Sequence, residues 1–117
     1  MSKFIDYWKD KFAGKNENSP AFRRNLAKKI NSSSLKYVSE RLDDEETVVC
    51  HKGYITVIGD ELEISGVDKG AVFRAKIDTL SMNELLSMDG IILTGFDILS
   101  GRERSIVAYY TYYRKVD

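Results

Sequence analysis

Cys50 and His51 stand side by side, and each is the only residue of its kind among 117. A thiol next to an imidazole is the smallest nucleophile-and-base pair, with the ring drawing off the thiol proton. On an extended segment, however, consecutive side chains point to opposite faces, so adjacency carries the ring away from the sulfur. The expected arrangement is a buried structural cysteine beside an exposed histidine. A zinc site would have to take most of its ligands from carboxylates, because no C-x-x-C or H-E-x-x-H spacing occurs. The acidic run Asp43, Asp44, Glu45, Glu46 lacks the D-x-[DN]-x-[DN]-G order that wraps a loop around calcium, and it reads as a solvated loop. Neither G-x-x-x-x-G-K-[ST] nor G-x-G-x-x-G is present to cradle nucleotide phosphates. The chain is therefore read as a non-enzyme with no cofactor and no metal.

Three groups of residues suit contact with another molecule. Phe4, Ile5, Trp8 and Phe12, flanked by Lys3, Lys9, Lys11 and Lys15, suit a membrane interface. Asp6 and Asp10 dilute that basic face, and a short aromatic stripe more often docks on its own domain. Arg23, Arg24, Lys28 and Lys29 could meet phosphates, yet they spread around a helix as a plain solvated surface does, so nucleic acid is disfavoured. Tyr109, Tyr110, Tyr112 and Tyr113 combine buried area with a wet hydroxyl. At a sheet edge they could pair with a partner chain or a second copy; packing within the fold is preferred. The candidate interaction surface is Trp8, Phe12, Arg23, Arg24, Lys28, Lys29, Tyr110 and Tyr112. Its expected partner is an unidentified protein or a second copy, with a membrane surface as the rival.

The elements that must position these residues follow from periodicity. Phe4, Ile5, Trp8 and Phe12 form one stripe of a helix over Lys3 to Ala13. Ser19-Pro20 starts a second helix, since proline fits the first helical position. Phe22, Leu26 and Ile30 recur every four residues, and Leu35, Val38 and Leu42 continue the stripe beyond Ser32 to Ser34. A kink or a fresh N-cap at Ser33 or Ser34 fits as well as a continuous helix. The acidic run from Asp43 should stop the helix, because the macrodipole repels anions at a C-terminus. Strands follow over Thr47 to Cys50 and Gly53 to Ile58, with Gly59-Asp60 as a turn into Leu62 and Ile64. Ala71 to Ile77 places Phe73, Ala75 and Ile77 on one face. Thr79 to Met88 is either a short capped helix or an extended run. Ile91 to Phe96 and Arg104 to Arg114 form a last hairpin, with Ile106, Ala108, Tyr110 and Tyr112 sharing a face.

Helices first and antiparallel strands afterwards make an α+β chain, a single domain over residues 1–117 divided into a helical part (1–42) and a β-rich part (43–117). A chain with 43% apolar and 31% charged residues can bury a core without metal or disulfide. A lone cysteine fits a reducing, cytoplasmic compartment. Charges interrupt the apolar residues after Met1, so no secretory signal is expected. The zero net charge is a cancellation: residues 1–42 carry 10 basic and 4 acidic side chains, and residues 43–117 carry 8 and 14. The two parts should dock on each other, or each should face a partner of opposite sign.

Leu42 and Glu46 before the first strand, Gly53-Tyr54 and Leu62 in the hairpin, and then Phe73 to Ile77 give residues 42–117 an order that resembles bacterial pleckstrin-homology-like and GRAM-like domains. The resemblance implies a bent antiparallel sheet or partly open barrel closed by a helix, here supplied by the N-terminal helices. It also implies a non-catalytic module that binds proteins, peptides or lipid headgroups. Phosphoinositide-binding members use several basic residues in the first hairpin, where this chain has Lys52, so headgroup binding by that pocket is not expected.

Overall fold

Ser19 accepts a hydrogen bond from the Phe22 amide at 3.2 Å and caps helix α1 (Pro20–Ile30), the helix that Ser19-Pro20 predicts. The computed structural model describes residues 19–111. The predicted helix over Lys3 to Ala13, with Trp8 and Phe12, and the residues from Tyr112 onward lie outside them. The expected stripe faces inward: Leu26 and Ile30 are buried, with Ala27 beside them and Phe22 packed against the core. Ser32, in the left-handed region at φ 71°, ends the helical course.

From that point the structure corrects the α+β expectation. Residues 35–42, read as a continuing helix, are strand β1 (Ser34–Leu42), so residues 1–42 are not a helical unit. Among the described residues there is one α-helix, and 59% lie in eight antiparallel strands of one open sheet, not helices followed by a PH-like barrel. Leu35 and Val38 mimic a helical i, i+3 pair because β1 carries a bulge. Leu35 opposes Tyr110 and Tyr37 opposes Tyr109, so Lys36 is an extra residue and the inward alternation shifts phase. Leu42, third member of the supposed stripe, is 54% exposed.

The remaining strands are β2 (Glu45–Cys50), β3 (Gly53–Ile58), β4 (Glu61–Gly66), β5 (Gly70–Lys76), β6 (Ser81–Glu84), β7 (Gly90–Asp97) and β8 (Arg102–Tyr110). Their order is β5-β4-β3-β1-β8-β7-β6, with β2 paired to β1 off this path. The acidic run is a hairpin turn: Leu42 pairs with Glu45, and Asp43 turns the chain at φ 56°. The β1 strand gives one side to β2 along Val38–Leu42 and to β3 at Ser34 and Leu35. Gly53 sits at this hand-over, where a Cβ would lie 2.5 Å from the Ser65 carbonyl oxygen, so only glycine fits. Residues 79–88 resolve in favour of the extended reading, with β6 following a short 3₁₀ turn over Ile77–Thr79.

Alternation then builds the core. Leu62 and Ile64, Phe73 and Ala75, and Ile106 and Ala108 are fully buried, as their spacing predicts. Each large aliphatic or aromatic side chain so buried contributes about 1.5–3 kcal/mol. The sheet bends until the outer edge of β5 meets the β7–β8 turn, where the Ile98 amide donates to the Arg74 carbonyl at 2.8 Å.

Candidate functional site

Alternation in β8 places Arg104 on the same inner face as Ile106, Ala108 and Tyr110. A charge there needs partners, and two carboxylates supply them. One Arg104 nitrogen donates to Glu40 Oε1 at 2.8 Å; the other donates to Asp97 Oδ2 at 2.8 Å and to the Val72 carbonyl at 3.0 Å. Arg102 adds a 3.2 Å contact to Glu40 Oε2. Asp97 is fully buried and has four donors: the amides of Arg74 (3.0 Å), Leu99 (3.1 Å) and Ser100 (3.2 Å), together with Arg104. Burial alone would raise its pKa, but the hydrogen bonds from Ser100, Arg104 and the Arg74 and Leu99 amides outweigh it and hold the carboxyl below its usual value. Glu40 is lowered chiefly by its hydrogen bond from Arg104.

This network fixes a turn. Asp97 pairs with Arg102 across the β7–β8 hairpin. Its carbonyl accepts from the Gly101 amide at 2.8 Å, and Gly101 takes φ 74°, which glycine adopts without strain. The buried carboxylate thus ties down the backbone at Leu99 and Ser100 from inside, while the Arg74 and Asp97 carbonyls hold the amides of Ile98 and Gly101. Outside, this end of the hairpin displays apolar side chains: Phe96 in β7 is 53% exposed, and Ile98 and Leu99 in the turn are 42% and 49%. Turns are ordinarily built from polar residues and glycine. Other exposed large hydrophobics, such as Val67 and Leu86, lie on separate turns. A rigid backbone presenting three apolar side chains is suited to docking, because little conformational entropy is left to lose on binding.

Of the predicted surface residues, Trp8, Phe12 and Tyr112 lie outside the described residues; Arg23, Arg24, Lys28 and Lys29 share helix α1, and Tyr110 stands on a different element, β8. Arg23 donates to the Asp78 carbonyl at 2.6 Å, and Arg24 meets the Asp78 carboxylate at 3.1 Å. Arg24 and Lys28 line an open cleft of about 260 Å³ whose opposite wall carries Asp60 and Asp78, so its charges cancel. Lys29 is exposed on the helix. Tyr110 is buried in β8, which runs between β1 and β7, so this strand is not an edge. Cys50 is buried at the end of β2, and His51 is exposed in the bend that follows it. Burial pushes the Cys50 thiol up, away from the reactive thiolate.

Sequence reasoning missed Glu40, Asp97 and Arg104. Their signal was the parity of the last strand: carried two residues upstream from Ile106, it puts a guanidinium inside. No protein-family model, curated protein or solved structure matches the chain. No described helix is long and apolar enough to cross a membrane.

Proposed function

We propose that this chain is a non-catalytic cytoplasmic binding module that engages a protein partner through the β7–β8 turn. The observation that carries the reading is the pairing of exposed Phe96, Ile98 and Leu99 with a buried clamp that holds their backbone. Apolar anchors on a preorganised loop are how small binding modules concentrate affinity in a few contacts. The non-catalytic part of the proposal is supported by the burial of the Cys50 thiol beside an exposed His51.

The test places a photo-reactive diazirine residue at Leu99 in cells of the native host, with the exposed Lys36 as control site. The expected result is one protein adduct specific to Leu99, lost when Phe96→Ser and Ile98→Ser are added. Adducts equal to those at Lys36 would sink the proposal. Binding to anionic vesicles that is abolished by Trp8→Asp would instead favour the membrane reading of the N-terminal segment.

A further inference from the structure

Strand β2 pairs with β1 on one side and with no other described strand on the other. By contrast, the outer edge of β5 is occupied, its Arg74 amide and carbonyl and its Val72 carbonyl being taken by Asp97, Ile98 and Arg104. Glu45 to Val48 are exposed, with Val48 at 45%, and Thr47, Val48 and Val49 are β-branched residues that favour extension. At the far end of the strand the Lys69 ammonium donates to the Val49 carbonyl at 2.8 Å, so that acceptor is open to a donor from outside the sheet. A lysine laid over an edge is a common guard against pairing.

Charge is unevenly distributed along this edge. Asp43, Asp44 and Glu45 lie at its start, and Lys52 and Lys69 lie at its end. Glu46 is already engaged by Arg41 at 3.3 Å and Tyr109 at 2.7 Å within the chain. A strand that is acidic at one end and basic at the other complements itself when antiparallel and repels itself when parallel. An unrelated extended peptide has no reason to carry the matching order.

We propose that β2 pairs with β2 of a second copy of this chain, antiparallel about a two-fold axis at Thr47, forming a reversible homodimer. In that register Glu46 faces the second copy's Val48 and Val49 faces its Glu45, and the acidic turn of Asp43 and Asp44 lies towards the basic end of the other strand. Lys69 leaves the Val49 carbonyl to the incoming strand and turns to the opposing Glu45 carboxylate. The contact is isologous, so every pair occurs twice. It is small, which places it in the weak, transient class.

Sedimentation equilibrium of the full chain is the test. The expected result is a monomer–dimer equilibrium that weakens as salt rises. Glu45→Lys and Lys69→Glu should each raise the dissociation constant about tenfold, since each disturbs two exposed pairs. The two together should restore it to within about threefold of the parent. Thr47→Cys should form a disulfide-linked dimer with copper–phenanthroline faster than the exposed control Leu86→Cys, native Cys50 being buried in both. Urea unfolding midpoints near the parent value confirm that the variants fold. A monomer up to about 1 mM, a dimer indifferent to both reversals, or cross-linking no faster at Thr47 than at Leu86 would overturn the proposal.

Discussion

Arg104 neutralises the fully buried Asp97 and the nearly buried Glu40, so its loss leaves Asp97 without a cation and Glu40 with Arg102 alone. Removing one partner of a buried ionic network typically costs about 3–5 kcal/mol. Arg104→Leu should therefore lower the urea midpoint by a corresponding amount, and a near-parental midpoint would show that the network is dispensable. The same residues set the acid limit. Glu40 and Asp97 have folded pKa values below their ordinary ones, so the unfolded chain takes up protons first as pH falls. Their contribution is complete above the ordinary carboxylate values of about 4, and it disappears as pH drops through the folded values. Stability should be nearly flat from pH 7 to about 5 and fall below about 4, with a shallower fall in Arg104→Leu. At Cys50, burial predicts that a thiol reagent modifies the native chain slowly and the urea-unfolded chain at once. Rapid modification without denaturant would contradict that placement.

The two readings of residues 35–42 differ most at the scale of the element. A helical stripe makes Leu35 and Leu42 equivalent; the bulged strand buries Leu35 and exposes Leu42. Leu35→Ala should cost about 2–5 kcal/mol, and Leu42→Ala should stay within about 0.5 kcal/mol. Equal losses would contradict the strand. Most of the rest was legible. The Ser19-Pro20 start, the Gly59-Asp60 turn and the alternation of Phe73, Ala75 and Ile77 are local signals that the packing obeys. The β1 strand was not legible, because one bulge at Lys36 converts period two into an apparent i, i+3 spacing. The clamp was legible only in part. The parity of β8 points Arg104 inward, but the meeting of Glu40, Asp97 and Arg104 from three strands depends on a strand order that no local pattern encodes. Phe96, Ile98 and Leu99 passed as ordinary members of a hairpin until their exposure was seen.

Across the whole molecule, the placement of β1 changes the meaning of the charge division at residue 42. Residues 34–42 of the basic first part do not belong to a separate helical body, since β1 lies in the middle of the sheet with β3 on one side and β8 on the other. Attraction between the two parts is local, as where Arg24 meets Asp78. Among the described residues, the surface carries an apolar turn anchored from within and, separately, a charged strand edge. On the function proposed above, the apolar side chains of the turn would bind a protein, preorganised by the Asp97 clamp. The most direct measurement is calorimetric titration of the partner captured at Leu99 against the parent chain and the Ile98→Ser, Leu99→Ser double variant. Truncating two apolar anchors at an interface centre costs about 1–2 kcal/mol each, so the affinity should fall by roughly 30- to 1,000-fold. The free energy of unfolding in urea should remain within about 0.5 kcal/mol of the parent, as expected for exposed positions. An affinity unchanged by the double substitution, in a variant that folds normally, would contradict the account.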